Sequence, residues 1–305
     1  MGLGPPWIGR LAIALIGAAL ALVLAPSPAA AAVSGCTITS TGLAFSPYVS
    51  PSQLDGAGSV TVTCNGSGAT NAVYITLSNG NSGTCSPRRM TMGANNLNYN
   101  IYTDSGRTTL WCATSTNRLN FNLDFSTGSP QTRTFTLYGR LPSGQNPPYG
   151  TTYSDSLTTT FRTSSGTLLS STTVSVTGSI SPVCTVSTTA LAFGSYVQTA
   201  ASLGTGTVTV TCTNTAPYQI SLGAGANSNG TSRRMAGPSG ARLSYTLYSN
   251  SARTTLWGDG TTYGSKVSAT GSGAAQARTV YGTIPAGQAP TPGSYSDTVL
   301  VTVEY

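Results

Sequence analysis

The sequence predicts an all-β protein of two tandem immunoglobulin-like β-sandwiches, the second incomplete and lacking its last strand. Three observations predict it. Apolar and polar residues alternate at period two in many short runs bounded by Gly, Asn, Ser and Pro turns. No segment past residue 32 carries a helical stripe. The second half of the chain repeats the first in order, so the unit is a duplicated domain and not a short solenoid repeat.

Residues 1–32 read as a secretory signal. Arg10 supplies the positive charge, residues 11–24 the apolar stretch, and Ala29-Ala30-Ala31-Ala32 the small-residue cleavage region. Pro26 and Pro28 break the stretch too early for a membrane span. Val33-Ser34-Gly35-Cys36 also has the look of a lipidation box. The apolar stretch, however, ends twelve residues before Cys36, whereas such a box normally abuts it.

The first domain is expected over residues 33–180 and the second over 181–305. Cys36 and Cys64 stand 28 positions apart, as do Cys184 and Cys212, with an offset of 148 between the pairs. Leu43-Ala44-Phe45 and Tyr48 return as Leu191-Ala192-Phe193 and Tyr196. Val60 to Cys64 returns as Val208 to Cys212, Arg88-Arg89-Met90 as Arg233-Arg234-Met235, and Leu110-Trp111 as Leu256-Trp257. An even cysteine count behind an export signal argues for disulfides Cys36–Cys64 and Cys184–Cys212, each tying first strand to second. A loop of that size restrains the unfolded chain by about 3–4 kcal/mol. Cys85 and Cys112 lose their counterparts together, near Gly230 and at Gly258, which favours a third bridge, Cys85–Cys112, peculiar to the first domain.

Strand signals continue along the chain. Val60, Val62 and Cys64 alternate with Thr, as Leu97, Tyr99 and Ile101 do with Asn. Leu119, Phe121, Leu123 and Phe125 alternate in the manner of a core strand. Val174, Val176, Gly178 and Ile180 mark a strand over residues 172–180 that closes the first sandwich and leads into the second. Tyr153-Ser154-Asp155 precedes that strand, but after the matching Tyr295-Ser296-Asp297 only Thr298 to Tyr305 remain. The second domain is therefore expected to hold an open acceptor groove lined by Leu191, Phe193, Val299, Val301, Val303 and Tyr305. An apolar groove beside an unpaired strand edge is an aggregation hazard unless a partner adds a strand to it.

Charge and composition exclude several functions. Fourteen Lys and Arg face seven Asp and Glu, but the arginines are scattered, with no basic run or basic helix, so nucleic acid is not an expected partner. They read as solvated residues flanking strands. With no histidine and no paired carboxylates, neither acid–base nor metal chemistry is expected, and no cofactor. Neither a nucleophile elbow nor a glycine-rich phosphate loop stands out, and Lys266 is the only lysine, so the chain is not expected to be an enzyme.

The Cys…Leu-x-Phe…Tyr opening of both repeats, and the closing run Ile284-Pro285-Ala286-Gly287-Gln288 with Pro292 to Thr298 and a Thr/Val strand, resemble the spore coat protein U-like family. That family includes subunits of archaic chaperone–usher pili. The first repeat departs from it at Leu157 to Phe161. The resemblance implies incomplete sandwiches whose groove is filled by a periplasmic chaperone and then by the next pilin subunit's donor strand, with passage through an outer-membrane usher to the cell surface. Only Val33-Ser34-Gly35 precede Cys36 after signal removal, which spans at most roughly 14 Å and is too short to fill a domain-length groove. The expected role is thus a tip adhesin that accepts a strand but donates none, and that serves adhesion and biofilm formation. A structural spore or cell-surface coat protein is the alternative. A carbohydrate-binding module is a third reading that the fifteen tyrosines permit without favouring.

Strand alternation places the 163–167 turn, the 125–131 loop and the 65–71 loop at the pole of the first domain away from the second, and the 142–152 loop beside the second. Phe125, Ser164 and Ser165 are the candidate adhesive residues on that far pole, although the alternation of Phe125 also suits a core position. Trp111 and Trp257 occupy matching places, which favours packing over recognition.

Overall fold

The structure is a computed structural model that describes residues 1–4, 32–68 and 70–305. The expected signal lies almost wholly outside the described residues. Among the described residues no helix is long and apolar enough to cross a membrane.

Nine strands build the first domain: β1 (Ala32–Ala44), β2 (Leu54–Ser67), β3 (Asn71–Leu77), β4 (Arg88–Met92), β5 (Asn95–Tyr102), β6 (Leu119–Leu123), β7 (Gln131–Leu141), β8 (Gly150–Thr163) and β9 (Leu168–Ile180). Their order is β4-β5-β7-β2-β1-β9-β8-β3-β6, and β4 also touches β8, so the sheet wraps around one core. Period-two burial explains the wrap. Val60 and Val62, then Leu97, Tyr99 and Ile101, then Val174 and Val176, are all fully buried, while the polar residues between them, Thr61, Asn98, Asn100 and Ser175, are partly or fully exposed. β9 starts at Leu168, four residues ahead of the expected start, because residues 168–171 still pair with β8.

The second domain has eight strands: β10 (Cys184–Ala192), β11 (Ser202–Cys212), β12 (Pro217–Leu222), β13 (Arg233–Ala236), β14 (Arg242–Tyr248), β15 (Val267–Thr270), β16 (Ala275–Ile284) and β17 (Val301–Glu304). They form two separate sheets, β10-β11-β16-β14-β13 and β15-β12-β17. Strand for strand these match β1 to β8, and among the described residues nothing matches β9.

The arginine expectation is overturned at two positions. Arg88 and Arg233 open β4 and β13 but are buried, at 0% and 3% exposure. Each guanidinium is held by main-chain carbonyls: Arg88 donates to Ser78 and Trp111, Arg233 to Gly223, Leu222 and Trp257. Burial lowers both pKa values, opposed by nearby Tyr and Asp side chains. The two tryptophans pack as expected, each indole donating to the carbonyl of a core isoleucine, Ile75 or Ile220.

Sulfur–sulfur bonds join Cys36 to Cys64, Cys85 to Cys112 and Cys184 to Cys212. Where the first domain has Cys112, the second has Gly258, and a Cβ there would run into the Tyr263 backbone. The Tyr263 ring lies 5.0 Å from the Arg233 guanidinium and its hydroxyl bonds Ser228. An aromatic clasp thus stands where the first domain uses a disulfide.

Candidate functional site

The two domains differ at one seam. In the first, β9 lies between β1, to which it runs parallel, and β8, to which it runs antiparallel. Val176 aligns with Leu43 on one side and Asp155 on the other, and Ile180 bridges to Tyr48. Phe45 N donates to Thr177 O at 2.9 Å and Tyr48 N to Ser179 O at 2.8 Å. In the second domain β10 and β17 face each other across the equivalent seam with no strand between them among the described residues.

Burial measures what β9 does. Ile38 on β1 is 5% exposed, but Val186 at the same place on β10 is 45% exposed. Leu43, Phe45 and Tyr48 are buried, whereas Leu191, Phe193 and Tyr196 are only partly so. The seam is a cavity of about 510 Å³ lined by Leu191 and Phe193 from the β10 side, Val208, Met235, Tyr245 and Leu247 from the floor, and residues 295–299 and Val301 from the other wall. Two further hollows continue it at either end, one against Val186 and Leu300, the other against Tyr196 and Tyr295.

Of the expected groove residues, Leu191, Phe193, Val299 and Val301 line the cavity, and Val303 packs against the same core. Tyr305 does not: it lies past the end of β17 and is 59% exposed. The strand itself is shorter than expected, because Val299 and Leu300 have lost the neighbour that β9 gives the matching residues of β8. Leu300 stands 73% exposed on the outward face, as its counterpart Thr158 does.

The floor carries a polar pair that alternation did not single out. Tyr245 Oη donates to Asp297 Oδ2 at 2.6 Å, and Asn227 N donates to Oδ1 at 3.1 Å. The first domain repeats this with Tyr99, Asp155 and Asn81. Burial, then the bond to the aspartate, raises the pKa of both tyrosines well above the ordinary value of 10.0. The recurring Tyr-Ser-Asp triplet was the available signal, since a carboxylate repeated inside a closing strand needs a partner.

At the other end of the first domain, Ser164 N bonds Ala72 O, Phe125 N bonds Gly68 O and Gly66 N bonds Ser129 Oγ, so the loops expected at the far pole do meet there. Ser164 and Ser165 are exposed. Phe125 is not available for contact: it is 7% exposed and belongs to the core, as its alternation with Leu123 requires. The near pole docks on the second domain, with Tyr149 N bonding Asn214 O at 2.7 Å, Asn214 Nδ2 bonding Asn146 O, and Asn146 Nδ2 bonding Ser272 O.

Two immunoglobulin-like sandwiches, one closed by its own last strand and one left open at that strand's place, define an all-β protein of the incomplete-sandwich class. The chain belongs to the Spore Coat Protein U domain family, whose model matches residues 21–160 and again 170–302. The second match begins inside β9. The segment ahead of the second copy's first cysteine is the strand that closes the first sandwich.

No curated protein matches the sequence. Among solved structures, the chain is similar to one described as the CsuC–CsuE chaperone–tip adhesion subunit pre-assembly complex from archaic chaperone-usher Csu pili of Acinetobacter baumannii. The identity is 20%, over 90% of this chain and 100% of that one, with a TM-score of 0.51. The CupB6 tip adhesin from Pseudomonas aeruginosa is similar at 11% identity over 89% of this chain and 94% of that one, TM-score 0.40. The CooA pilin subunit from enterotoxigenic Escherichia coli is similar at 12% identity over 48% of this chain and 98% of that one, TM-score 0.32.

Proposed function

We propose that the chain is a subunit of a surface fibre assembled by donor-strand complementation, and that it sits at the fibre tip. Its second domain accepts a strand from another chain between β10 and β17. A periplasmic chaperone holds that place first, and the next pilin's donor strand takes it after passage through an outer-membrane usher. The observation that carries this reading is the single missing strand: the same seam is filled by β9 in one domain and is a cavity in the other. Placement at the tip draws support from the likeness to a chain of the CsuC–CsuE chaperone–tip adhesion subunit complex, the whole of which matches 90% of this chain. The first domain is closed and stands beyond the second, so its far pole, with Ser164 and Ser165, is the face offered to a surface in adhesion and biofilm formation.

The test is expression of the full chain alone and with a chaperone of this class. Aggregation alone and a soluble one-to-one complex with the chaperone support the reading, because an exposed apolar seam beside two strand edges drives self-association. A stable soluble monomer without a chaperone contradicts it. The family's own description favours a second reading, a coat component. Recovery of the chain from sheared surface fibres, and not from coat layers, separates the two.

A further inference from the structure

The two domains carry opposite charge arrangements at one matching place on their outer faces. In the second domain Gln219 on β12 pairs with Glu304 on β17 and with Ser268 on β15. Lys266, two residues before Ser268, reaches over to both carboxylate oxygens of Glu304 at 2.7 Å. In the first domain Tyr74 on β3 pairs with Arg162 on β8 and with Asn120 on β6. Register therefore matches Tyr74 to Gln219, Arg162 to Glu304 and Arg118 to Lys266. Where the second domain closes an ion pair across a glutamine, the first sets an arginine on either side of a tyrosine.

Like charges placed to converge on one residue repel, so this arrangement costs the free domain something. Both guanidiniums are nevertheless fixed. Tyr74 points outward between the inward Val73 and Ile75, yet it is only 9% exposed, because the Arg118 guanidinium lies over it, 3.7 Å from the ring centroid. Arg118 Nε also donates to Asn120 Oδ1 at 2.9 Å, and Arg162 Nη1 donates to Gly166 O at 2.8 Å. Each keeps further N–H groups unused, and among the described residues neither meets a carboxylate. Asp124, further along the line of Asn120, is turned to Ser126 N and Oγ.

We infer that Arg118, Tyr74 and Arg162 form a binding site for an acidic polysaccharide, and that a sugar carboxylate supplies from outside the negative charge that Glu304 supplies within the second domain. A guanidinium takes a carboxylate through paired N–H donors, and Arg118 is already held flat on Tyr74 to do so. Asn120 and Asn122 stand exposed beside the site, and their amides match the hydroxyls of a sugar chain. Two cations are too few to hold a nucleic acid backbone. The site deepens the adhesive reading of the first domain, since Ser164 lies two residues beyond Arg162, and it is independent of the open seam.

The duplication also supplies the test. Arg162→Glu copies the ion pair of the second domain, so it should fold while removing the site. Arg118→Gln is the second variant, and Arg89→Glu, at an exposed place on β4, repeats the charge change of Arg162→Glu elsewhere. The full chain is used as its soluble chaperone complex, or alone if it is soluble alone, and is titrated with polygalacturonate, neutral dextran and duplex DNA. Polygalacturonate is expected to bind and dextran not to. Arg162→Glu and Arg118→Gln should each weaken polygalacturonate binding by about tenfold or more, and Arg89→Glu by less than about twofold. No binding of polygalacturonate overturns the inference. Equal losses in Arg89→Glu and Arg162→Glu overturn it too, because the attraction would then be diffuse charge. Equal affinity for duplex DNA overturns the choice of a polysaccharide. If Arg162→Glu loses polygalacturonate while cells bearing it still attach to an uncharged surface, the site stands and adhesion there uses another face. If polygalacturonate never binds and attachment persists, the adhesive reading stands and the site alone falls.

Discussion

The hydroxyl of Tyr245 donates to the carboxylate of Asp297 at 2.6 Å on the floor of an open groove, and Tyr99 makes the same bond to Asp155 at 2.6 Å beneath a strand. The pair is one polar post inside each sandwich, and the two copies differ in cover. Asp155 is 4% exposed and also accepts from Ser156 N, whereas Asp297 is only partly buried.

Removing the post should therefore cost the two domains different amounts. Tyr99→Phe leaves a buried carboxylate short of a partner and is expected to destabilise the first domain by about 1–3 kcal/mol. Tyr245→Phe in the donor-free chain should cost about 1 kcal/mol or less, since water reaches Asp297. Denaturant unfolding followed separately by Trp111 and Trp257 fluorescence, through single-tryptophan variants, reads both. Equal losses would mean that the groove is covered.

Alkaline pH should weaken the fold through the same tyrosines. Their folded pKa values are raised above the ordinary 10.0, chiefly by burial and then by the aspartate. A raised value stabilises the fold fully below the unfolded pKa, and that contribution is lost as pH climbs above it. The expected result is stability unaffected by these groups up to about pH 10 and falling beyond it. Tyr99→Phe should flatten the fall, a comparison made by thermal melts across that range.

The Cys85–Cys112 bridge belongs to the first domain alone. Replacing both cysteines by serine is expected to cost the first domain about 2–4 kcal/mol and to leave the second unchanged. Limited proteolysis with domain-specific fragment analysis checks this. The second domain's clasp at Arg233 and Tyr263 is untouched by the change.

Opening the first seam should turn the first domain into a likeness of the second. Val176 is fully buried at the centre of β9, so Val176→Asp places a charge in the core at an expected cost of about 3 kcal/mol or more. Increased binding of a hydrophobic dye and loss of the one-to-one chaperone-complex peak in size-exclusion chromatography are the expected signs. An unchanged first domain would mean that β9 does not hold the seam.

Much of this was legible in the sequence, because duplication turns an absence into a signal. Val174, Val176 and Ile180 had no later counterparts, and that alone located the seam. The match between repeats singled out Leu191 and Phe193, and alternation Val299 and Val301, and all four line the cavity. Alternation failed at Tyr305, which keeps the period of Val303 but has left the sheet, and held at Phe125, which keeps the period of Leu123 and lies in the core. Period gives a face, while burial also needs a neighbour. Arg88 and Arg233 were read as solvated because arginine is seldom buried unpaired. Their partners are main-chain carbonyls, which no side-chain pattern displays. The Asn146–Asn214 contact between the domains was hidden for a similar reason, since each asparagine bonds backbone far away in sequence.

The central claim is that the edges of β10 and β17 await a strand that β1 and β8 already have. Amide hydrogen exchange on the isolated full chain tests this most directly. The account predicts protected amides at Phe45 and Tyr48, which bond β9, and fast exchange at Phe193 and Tyr196, their counterparts on the open edge. Equal, strong protection at all four would contradict it.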